Sequence, residues 1–290
     1  MILSIQDIAS QLTVPDSHIP TVGTSKIDPK ELEDMVRLFR SVVFNGYFDT
    51  EPVCETLAQL NVAIAIQTAR IYKMLQYSIE EADALGTQVA QKILTRLPEL
   101  RRRLGTDVQA MFDSDPAAKS REEVILCYPS LVAMIPYRLA QELLLLEVPI
   151  LPRLIMEAAH SITGIDIHPG AQIGDYFSID HGTGVVIGET CIIGNHVRIY
   201  QGVTLGAKSI KFDADGNVIN EPRHPILEDG VVVYSNSSIL GRVRIGHDSI
   251  IGGNIWQTTD VPPKSRVLQS RATVEKEEVI RLQQNNKSRL

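Results

Sequence analysis

The sequence has 290 residues, 44% of them hydrophobic and 22% charged, with a net charge of −7 at pH 7. This length allows two domains, and the negative net charge argues against general nucleic-acid binding, which needs a basic face. No stretch approaches the roughly 20 apolar residues of a membrane span, and the N-terminus lacks the basic flank and apolar run of a signal peptide. Together these features predict a cytoplasmic protein.

Residues 1–164 are predicted to form an all-α domain. Asp28 followed by Pro29 is typical of a helix start, with a capping side chain and a proline at the first helical position. Ser78 and Glu81 have the spacing of a capping box, which satisfies two backbone N–H groups at the start of a helix. Both patterns predict helices immediately after them.

The second half of this domain contains a basic run, a turn and an apolar region. The run Arg101–Arg103 could bind phosphate, although a helix end, where cations suit the helix dipole, is the favoured interpretation. The segment 107–118 predicts a turn, with the next helix beginning at Pro116. The region 124–155 is too apolar to remain exposed, which predicts packing on another subunit, and the last helix is predicted to end at Gly164.

Between residues 165 and 262, aliphatic residues recur at every sixth position in three phased runs. Neither helical periodicity nor strand alternation explains a strict period of six. Repeats of this size are typical of parallel β-helices, and three six-residue faces per turn predict a triangular prism, followed by a charged tail over 263–290. An irregular β-sandwich with accidental spacing is the alternative. The repeating positions are Ile167, Ile173, Ile179, Val185, Ile187, Ile193, Ile199, Leu205, Leu227, Val233, Ile239, Ile245 and Ile251.

The three cysteines, Cys54, Cys127 and Cys191, are far apart and have no metal-binding spacing. Cys191 occupies the small-residue position of a hexad, which predicts a role in core packing. No cysteine or serine lies in a motif that would support a covalent acyl-enzyme.

Four histidines fall within the first half of the predicted β-helix or its interruption, and one of them, His181, follows Asp166 by fifteen residues. That separation is close to one full turn of the prism, which would bring the two side chains onto adjacent coils. A carboxylate beside an imidazole orients the ring and stabilises its cation as the ring takes a proton. Such a pair can deprotonate a hydroxyl for attack on an activated acyl group. A structural histidine bonded to backbone at a coil corner is the alternative.

The strings DIHPGAQIG, IDHGTGVVIGET, VTLGA and RHP resemble the serine O-acetyltransferase family of hexapeptide-repeat enzymes. The likeness spans residues from about 30 to 262 and includes the segment Ser114–Ala117 of the helical domain. The resemblance implies an all-α domain followed by a left-handed parallel β-helix. It also implies transfer of acetyl from acetyl-CoA to the hydroxyl of L-serine, giving O-acetyl-L-serine for cysteine synthesis, with no metal expected.

The resemblance implies roles for six residues, matched by motif. They are His181 as general base, Asp166 as its orienting carboxylate, Asp115 and Asp180 for the substrate ammonium, and Arg223 and His224 for the substrate carboxylate and the developing oxyanion. This distribution is chemically coherent, because a zwitterion needs acidic groups at one end and a cation at the other, and tetrahedral charge needs nearby donors.

The resemblance also implies a slot for the pantetheine arm of CoA. Gly206 and Ala207 would line it together with Ser235 and Gly253 on successive coils. Lys208 is a candidate contact for a CoA phosphate from its charge and position, and a solvated loop lysine is the alternative.

The sequence departs from the family pattern in three places. Tyr234–Ser237 and Gly252–Trp256 replace strings of smaller residues near the predicted CoA slot. The loop 208–222 is longer than the usual glycine-rich version. In it, Asp215–Gly216 predicts a hairpin turn, and the alternative, a calcium loop, lacks its later ligands.

Partners follow from the same resemblance. Triangular β-helices form ligand sites between neighbouring prisms, which favours a homotrimer or a dimer of trimers. L-Cysteine is implied as a feedback inhibitor at the serine site. Many members end in an isoleucine that inserts into O-acetylserine sulfhydrylase, whereas this sequence ends in Leu290, so a complex with that enzyme is left open.

Three other functions remain as alternatives from the residues alone. The acceptor could be another small amino acid or a sugar hydroxyl. Three histidines converging from neighbouring subunits could instead hold zinc, as in γ-carbonic anhydrases. The β-helix could also be a catalytically silent scaffold. This alternative ranks lowest, because the dyad and the substrate-binding residues are all present.

Overall fold

Seven α-helices precede fourteen short parallel strands in the computed structural model, which describes residues 4–12, 14, 18, 25–219 and 221–269. The helices are α1 Ile5–Leu12, α2 Pro29–Val43, α3 Val53–Met74, α4 Ile79–Ser114, α5 Arg121–Cys127, α6 Pro129–Leu145 and α7 Leu151–Thr163. The strands are β1 Asp166–Ile167, β2 Gln172–Ile173, β3 Ser178–Asp180, β4 Val186–Ile187, β5 Ile192–Ile193, β6 Arg198–Tyr200, β7 Thr204–Gly206, β8 Ile226–Leu227, β9 Val232–Val233, β10 Ser238–Leu240, β11 Arg244–Ile245, β12 Ile250–Ile251, β13 Trp256–Gln257 and β14 Arg266–Val267. The part of the predicted tail from residue 270 onward lies outside the described residues.

Three of the predicted helix ends are confirmed. The Asp28 carboxylate accepts a hydrogen bond from the backbone N–H of Lys30 at the start of α2. Ser78 and Glu81 form the complete capping box at the start of α4. Gly164 ends α7 in the left-handed conformation that a residue without Cβ adopts at no steric cost.

The turn predicted over 107–118 is largely wrong, because α4 continues through Ser114. Val108 and Met111 are buried against the rest of the helical domain, and this packing outweighs the local turn signals. The next helix, α5, begins at Arg121 rather than Pro116, after Ser120 caps it.

The basic run Arg101–Arg103 is not at a helix end either, because it lies inside α4. Arg102 pairs with Glu99 at 2.8 Å and with Asp175 of the β-helix at 2.7 Å. Two of the three basic side chains therefore dock α4 on the β-helix, since Arg103 also pairs with Asp175 at 3.4 Å.

The apolar region 124–155 forms α5, α6 and the start of α7. Most of α6 is buried within its own chain, so the apolar content of this region does not by itself require a second subunit. No single helix among the described residues is long and apolar enough to cross a membrane, although α5 and α6, bent by 75° at their break, pass that test as a pair.

The strands form a left-handed β-helix of three parallel sheets, which confirms the predicted fold class. Sheet A contains β1, β4, β7, β10 and β13; sheet B contains β2, β5, β8 and β11; sheet C contains β3, β6, β9, β12 and β14. All the predicted repeating aliphatic residues point inward and are at most 3% exposed. Cys191 is also fully buried, as predicted, and burial raises the pKa of its thiol to about 12.

Backbone hydrogen bonds join each coil to the next in both directions. N–H groups of the first coil donate to the second, as from Asp166 to Val185 at 2.9 Å, and N–H groups of the second donate back, as from His196 to Asp175 at 3.0 Å. The backbone groups at the lower edge of the first coil have no coil beneath them to supply partners.

Side chains of the helical domain supply those partners instead. The Tyr137 hydroxyl donates to the carbonyl of Ala171 at 2.6 Å, and Arg138 donates to the carbonyl of Ile173 at 2.8 Å. Arg138 is fully buried and is held by the equally buried carboxylate of Asp107 at 3.0 Å. The helical domain therefore closes the lower end of the β-helix.

Candidate active site

The predicted site residues of the β-helix lie at the two edges of sheet A. Because its strands are parallel, one edge carries all their N-terminal ends, where the chain arrives from sheet C, and the other carries all their C-terminal ends. We call these the entry edge and the exit edge. The entry edge holds Asp166, Asp180, His181, Ser235 and Gly253, and the exit edge holds Gly206, Ala207, Lys208, Arg223 and His224.

His181 lies at the coil corner that leads from β3 to sheet A. Its backbone is left-handed, with φ of 58°, and its side chain is 74% exposed. The next residue must be glycine, because φ there is 89° and a Cβ would lie 2.6 Å from the side chain of Ile165. The sequence His-Gly therefore forms a sharp corner that presents the imidazole to solvent.

Asp180 and Asp166 relate to this imidazole differently. Asp180 Oδ1 lies 3.8 Å from His181 Nε2 and is the one described carboxylate within 4.0 Å of the ring nitrogens. The register partner of Asp166 on the next coil is Val186 rather than His181, and no hydrogen bond between Asp166 and His181 is present among the described residues. Asp166 nevertheless lies at the same entry edge.

Asp115 reaches the entry edge from the helical domain, where it follows the last residue of α4. Its carboxylate accepts hydrogen bonds from the Tyr128 hydroxyl at 2.5 Å and from the backbone N–H of Ala117 at 2.8 Å. These two hydrogen bonds, with smaller contributions from the positive charges of His181 and Arg198, lower the pKa of Asp115. Asp115 is thus held ionised, within electrostatic reach of His181.

Arg198 adds a cation to this group that the sequence analysis did not single out. Its guanidinium lies 3.7 Å from Asp180 Oδ2 and 5.1 Å from the ring centroid of Tyr200. Its Nε atom is buried without a hydrogen-bond partner among the described residues. Around the imidazole of His181, the entry edge therefore combines the carboxylates of Asp115 and Asp180 with the guanidinium of Arg198, and the carboxylate of Asp166 lies at the same edge.

At the exit edge, Thr190 positions Arg223 and His224 of the RHP string. Its hydroxyl oxygen accepts hydrogen bonds from the backbone N–H groups of Arg223 at 2.9 Å and His224 at 3.1 Å. The imidazole of His224 packs on Gly188, where a Cβ would lie only 2.0 Å from the ring. The string GET at the end of the IDHGTGVVIGET motif therefore holds His224 in place, because Gly188 leaves room for its ring and Thr190 bonds its backbone.

The hydrogen bonds of His224 determine its tautomer. Nδ1 accepts from the backbone N–H of Thr190 at 3.1 Å, so the neutral ring carries its proton on Nε2 and can donate from that atom. Burial, and secondly the charge of Arg223, lower the pKa of His224 and favour the neutral ring.

Two further charged groups surround this pair. Glu189 accepts from the guanidinium of Arg223 at 2.6 Å. Arg242 donates to the carbonyl groups of Thr190 at 2.6 Å and His224 at 2.9 Å. Glu189 and Thr190 lie inside the motif quoted from the sequence, whereas no sequence pattern marks Arg242.

The predicted CoA residues fall into two separate groups, the consecutive residues Gly206, Ala207 and Lys208 at the exit edge and the pair Ser235 and Gly253 at the entry edge. At the entry edge, Ser235 and Gly253 are adjacent on successive coils, since a Cβ on Gly253 would lie 3.3 Å from the Ser235 carbonyl oxygen. At the exit edge, Gly206 accepts from the N–H of Gly241 at 3.0 Å, and the stem of Lys208 packs against Gly241. One chain does not bring the two groups together, because sheet A separates them.

The long loop after Lys208 contains the predicted hairpin turn. The N–H of Asp213 donates to the carbonyl of Asn217 at 2.9 Å, and Gly216 has φ of 82°. The Asp213 carboxylate accepts from the backbone N–H groups of Asp215 and Asn217, so it closes the turn itself. The hairpin interpretation of this loop is confirmed.

No protein-family model matches the chain. The chain is 51% identical over 235 residues to a plasmid-encoded serine acetyltransferase of Synechococcus elongatus, covering 79% of this chain and 73% of that protein. Its structure resembles serine acetyltransferase isoform 3 of Entamoeba histolytica in complex with cysteine, with a TM-score of 0.72, 31% identity and coverage of 98% and 97%. It also resembles the serine acetyltransferase of Neisseria gonorrhoeae in complex with serine, with a TM-score of 0.57, 25% identity and coverage of 83% and 97%. The chain belongs to the serine acetyltransferase family.

Proposed function

We propose that this serine O-acetyltransferase transfers acetyl from acetyl-CoA to L-serine at a site built from the entry edge of one copy and the exit edge of another. The observation that carries the proposal is the convergence of Asp115, Asp180 and His181 at the entry edge. Two carboxylates beside an exposed imidazole suit a substrate whose ammonium must be held while its hydroxyl loses a proton.

Asp115 and Asp180 bind the ammonium group of serine from two sides. Asp115 comes from the helical domain and Asp180 from the β-helix, so the substrate is held between the two domains. The lowered pKa of Asp115 keeps its carboxylate charged across the neutral range. The serine complex of the Neisseria relative supports an amino acid as the acceptor.

His181 acts as the general base. As the serine Oγ forms a bond to the thioester carbon, its proton passes to the imidazole, and the carbonyl oxygen becomes an oxyanion. Collapse of this tetrahedral intermediate breaks the C–S bond, and the imidazolium returns its proton to the CoA thiolate. Asp166, at the same edge, orients the imidazole, and Asp180 at 3.8 Å adds negative charge beside its cation.

The acetyl group passes directly from the thioester to serine, without an acyl-enzyme. A thiolate is the nucleophilic form of cysteine. Cys191, the cysteine of the β-helix, is fully buried and its pKa is raised to about 12, which leaves it without that form at neutral pH.

The exit edge provides the remaining contacts. His224 Nε2 donates to the developing oxyanion, a role that suits a neutral imidazole whose other nitrogen is already held. Arg223 binds the serine carboxylate. Gly206, Ala207 and Lys208 at this edge, with Ser235 and Gly253 at the entry edge, line the slot for acetyl-CoA.

Two copies are needed because the edges are far apart in one chain. From Val185 to Gly188 the backbone of sheet A spans about 10 Å at ~3.3 Å per residue, whereas proton transfer requires contact at about 3 Å. Joining the entry edge of one copy to the exit edge of the next is a head-to-tail contact, which closes into a ring when repeated around a three-fold axis. We therefore propose a homotrimer, in which the helical domains are free to join two trimers.

L-Cysteine should bind at the serine site. It carries the same ammonium and carboxylate groups, and the Entamoeba relative was solved with cysteine bound. Competition is the test: cysteine should raise the KM for serine and leave the maximal rate unchanged. A complex with O-acetylserine sulfhydrylase stays a prediction, since Leu290 lies outside the described residues. The cytoplasmic location also stays a prediction.

The proposal is tested by release of CoA thiol from acetyl-CoA in the presence of L-serine, with other amino acids and sugars as comparison acceptors. His181→Asn should lower kcat by about 10²- to 10⁴-fold, and asparagine tolerates the left-handed backbone. His196→Asn is the matched control, because His196 is also exposed at a coil corner, with φ of 56°. Equal activity of both variants, or acetylation of another acceptor in preference to serine, would contradict the proposal.

The shared site has its own experiment. His181→Asn and His224→Asn chains are purified separately, then unfolded and refolded together. With equal amounts and random assembly, about a quarter of all contacts would join an intact His181 to an intact His224, so activity should return. Mixtures as inactive as the separate variants would place both histidines of a site on one chain.

A further inference from the structure

The outward face of sheet A carries one continuous column of side chains. From the first coil to the last, these residues lie in register, one above the other, while their neighbours in the strands point into the core. They are Asp166, Val186, Thr204, Ser238 and Trp256. The column begins at the proposed catalytic carboxylate and ends at an indole.

Trp256 is an unusual residue for the end of this column. Its side chain is 71% exposed, and no aromatic contact or hydrogen bond of its indole is present among the described residues. A single exposed apolar residue is ordinary on a protein surface, so a function for Trp256 is inferred from where it lies. Directly below it are the small side chains of Ser238 and Thr204, which leave an open strip of sheet between the indole and the lower coils.

The length of this strip matches a particular kind of ligand. Successive coils are about 4.8 Å apart, so the four steps from Asp166 to Trp256 span ~19 Å. Acetyl-CoA has its reactive thioester at one end, an extended pantetheine arm in the middle and a purine ring at the other end. With the thioester at Asp166 and His181, the arm would follow the strip and bring the purine to the last coil.

Groups along the strip agree with this direction. Ser235 and Gly253 approach each other at the entry edge on the coils of Ser238 and Trp256. In the proposed trimer the exit edge of the neighbouring copy faces this strip, and its Lys208, whose stem packs against Gly241, lies at the height of the coil below the indole. That is where the diphosphate, between arm and purine, would need a cation.

We propose that Trp256 binds the purine ring of acetyl-CoA by stacking, an inference that rests on the proposed function. Stacking between a base and an aromatic side chain does not depend on specific hydrogen bonds, because each ring presents a flat π-face to the other. Trp256 thereby fixes the distal end of the cosubstrate and acts on its binding alone, about four coils away from the bond that breaks.

The kinetic test compares Trp256→Ala with Trp256→Phe. The alanine variant should raise the KM for acetyl-CoA by roughly tenfold or more, whereas the phenylalanine variant should retain part of the affinity. The kcat and the KM for serine should stay unchanged in both. Leu268→Ala is the matched control, because Leu268 is a similarly exposed apolar residue, at 67%, that follows β14 in sheet C.

A binding test needs no acceptor, because the chain has one tryptophan and its fluorescence reports on that site alone. Adenosine 3′,5′-diphosphate, the nucleotide half of CoA, should change the emission, and S-acetylpantetheine, which lacks the nucleotide, should not. An unchanged KM for acetyl-CoA in the active Trp256→Ala variant would overturn the proposal. Emission that responds to protein dilution but not to the nucleotide would overturn it too, and would assign the indole to a subunit contact.

The two proposals fail in different ways. Absence of serine-dependent CoA release from the unsubstituted protein would contradict the proposed function. The fluorescence titration would then still decide whether the indole binds the nucleotide.

Discussion

Nδ1 of His224 lies 3.1 Å from the backbone nitrogen of Thr190 and 2.9 Å from its hydroxyl oxygen. Since the same hydroxyl oxygen also accepts from the backbone N–H groups of Arg223 and His224, one threonine fixes the whole RHP string after a long loop. The loop can vary without moving the two residues because the β-helix core, and not the loop, positions them.

Thr190→Val should therefore weaken both the fold and serine binding. Valine keeps the shape of the side chain but leaves two backbone N–H groups without an acceptor, which should lower the free energy of unfolding by about 1–3 kcal/mol. The KM for serine should rise because Arg223 loses its position. Urea denaturation and steady-state kinetics measure the two effects. Thr95→Val, on the exposed side of α4, should change neither, and a Thr190→Val protein that matches it would contradict this explanation.

Asp115→Asn should raise the KM for serine and leave the KM for acetyl-CoA unchanged. The substitution removes the negative charge that faces the substrate ammonium, and hydrogen bonds to charged groups of this kind correspond to roughly 10- to 100-fold in affinity. Asp113→Asn is the control, since Asp113 is an exposed residue near the end of the same helix that bonds Gln109. An effect on acetyl-CoA instead of serine would show that Asp115 has a different role.

Arg138→Met should destabilise the protein severely. The substitution leaves the buried Asp107 carboxylate without its cation, removes one of the two donors to the carbonyl of Ile173 and removes the donor to that of Gly174. Removing one partner of a buried ion pair lowers stability by about 3–5 kcal/mol. Arg102→Met, which breaks half-exposed pairs on the same helix, should lower it by less than ~1 kcal/mol. Chemical denaturation measures the free energy of unfolding of both variants, and equal losses of stability would contradict this prediction.

Stability should fall as the pH drops below the ordinary histidine pKa of 6.5. Burial, and secondly a nearby arginine, lower the folded-state pKa of both His168 and His224. Between the folded-state pKa and 6.5 the unfolded chain therefore binds more protons, and stability rises with pH in that window. The melting temperature from pH 5 to 8 measures this slope. His168→Asn with His224→Asn should flatten it, and an equally steep slope in the double variant would assign the dependence to other groups.

The β-helix and the positions of its core were readable from the sequence because burial repeats with the coil. Each coil places one aliphatic residue per face inward, so a period of six survives in the sequence and marks Ile167, Ile187 and Leu205 as a stacked column. The capped starts of α2 and α4 were readable for a similar reason, since a cap involves residues only two or three positions apart.

The long-range contacts of the helical domain were not readable. Asp107 and Arg138 look like surface residues in a linear sequence, although they form a buried ion pair. The acidic residues near the end of α4 have the composition of a turn, which is why the sequence predicts one there. Tyr128 bonds Asp115 across a gap of thirteen positions, and no periodicity marks either residue. The first coil also contains more residues than the fifteen that separate Asp166 from His181, so the residue stacked above Asp166 is Val186.

The lower edge of the first coil has a consequence for how these molecules avoid joining one another. Left open, it would present a row of free N–H and carbonyl groups, which is the kind of edge on which a second chain can polymerise. Tyr137 and Arg138 occupy that edge with donors from the chain's own helices. The helical half therefore serves as an end stop, and a β-helix cut away from it would be expected to form filaments or aggregates rather than an independent catalytic module.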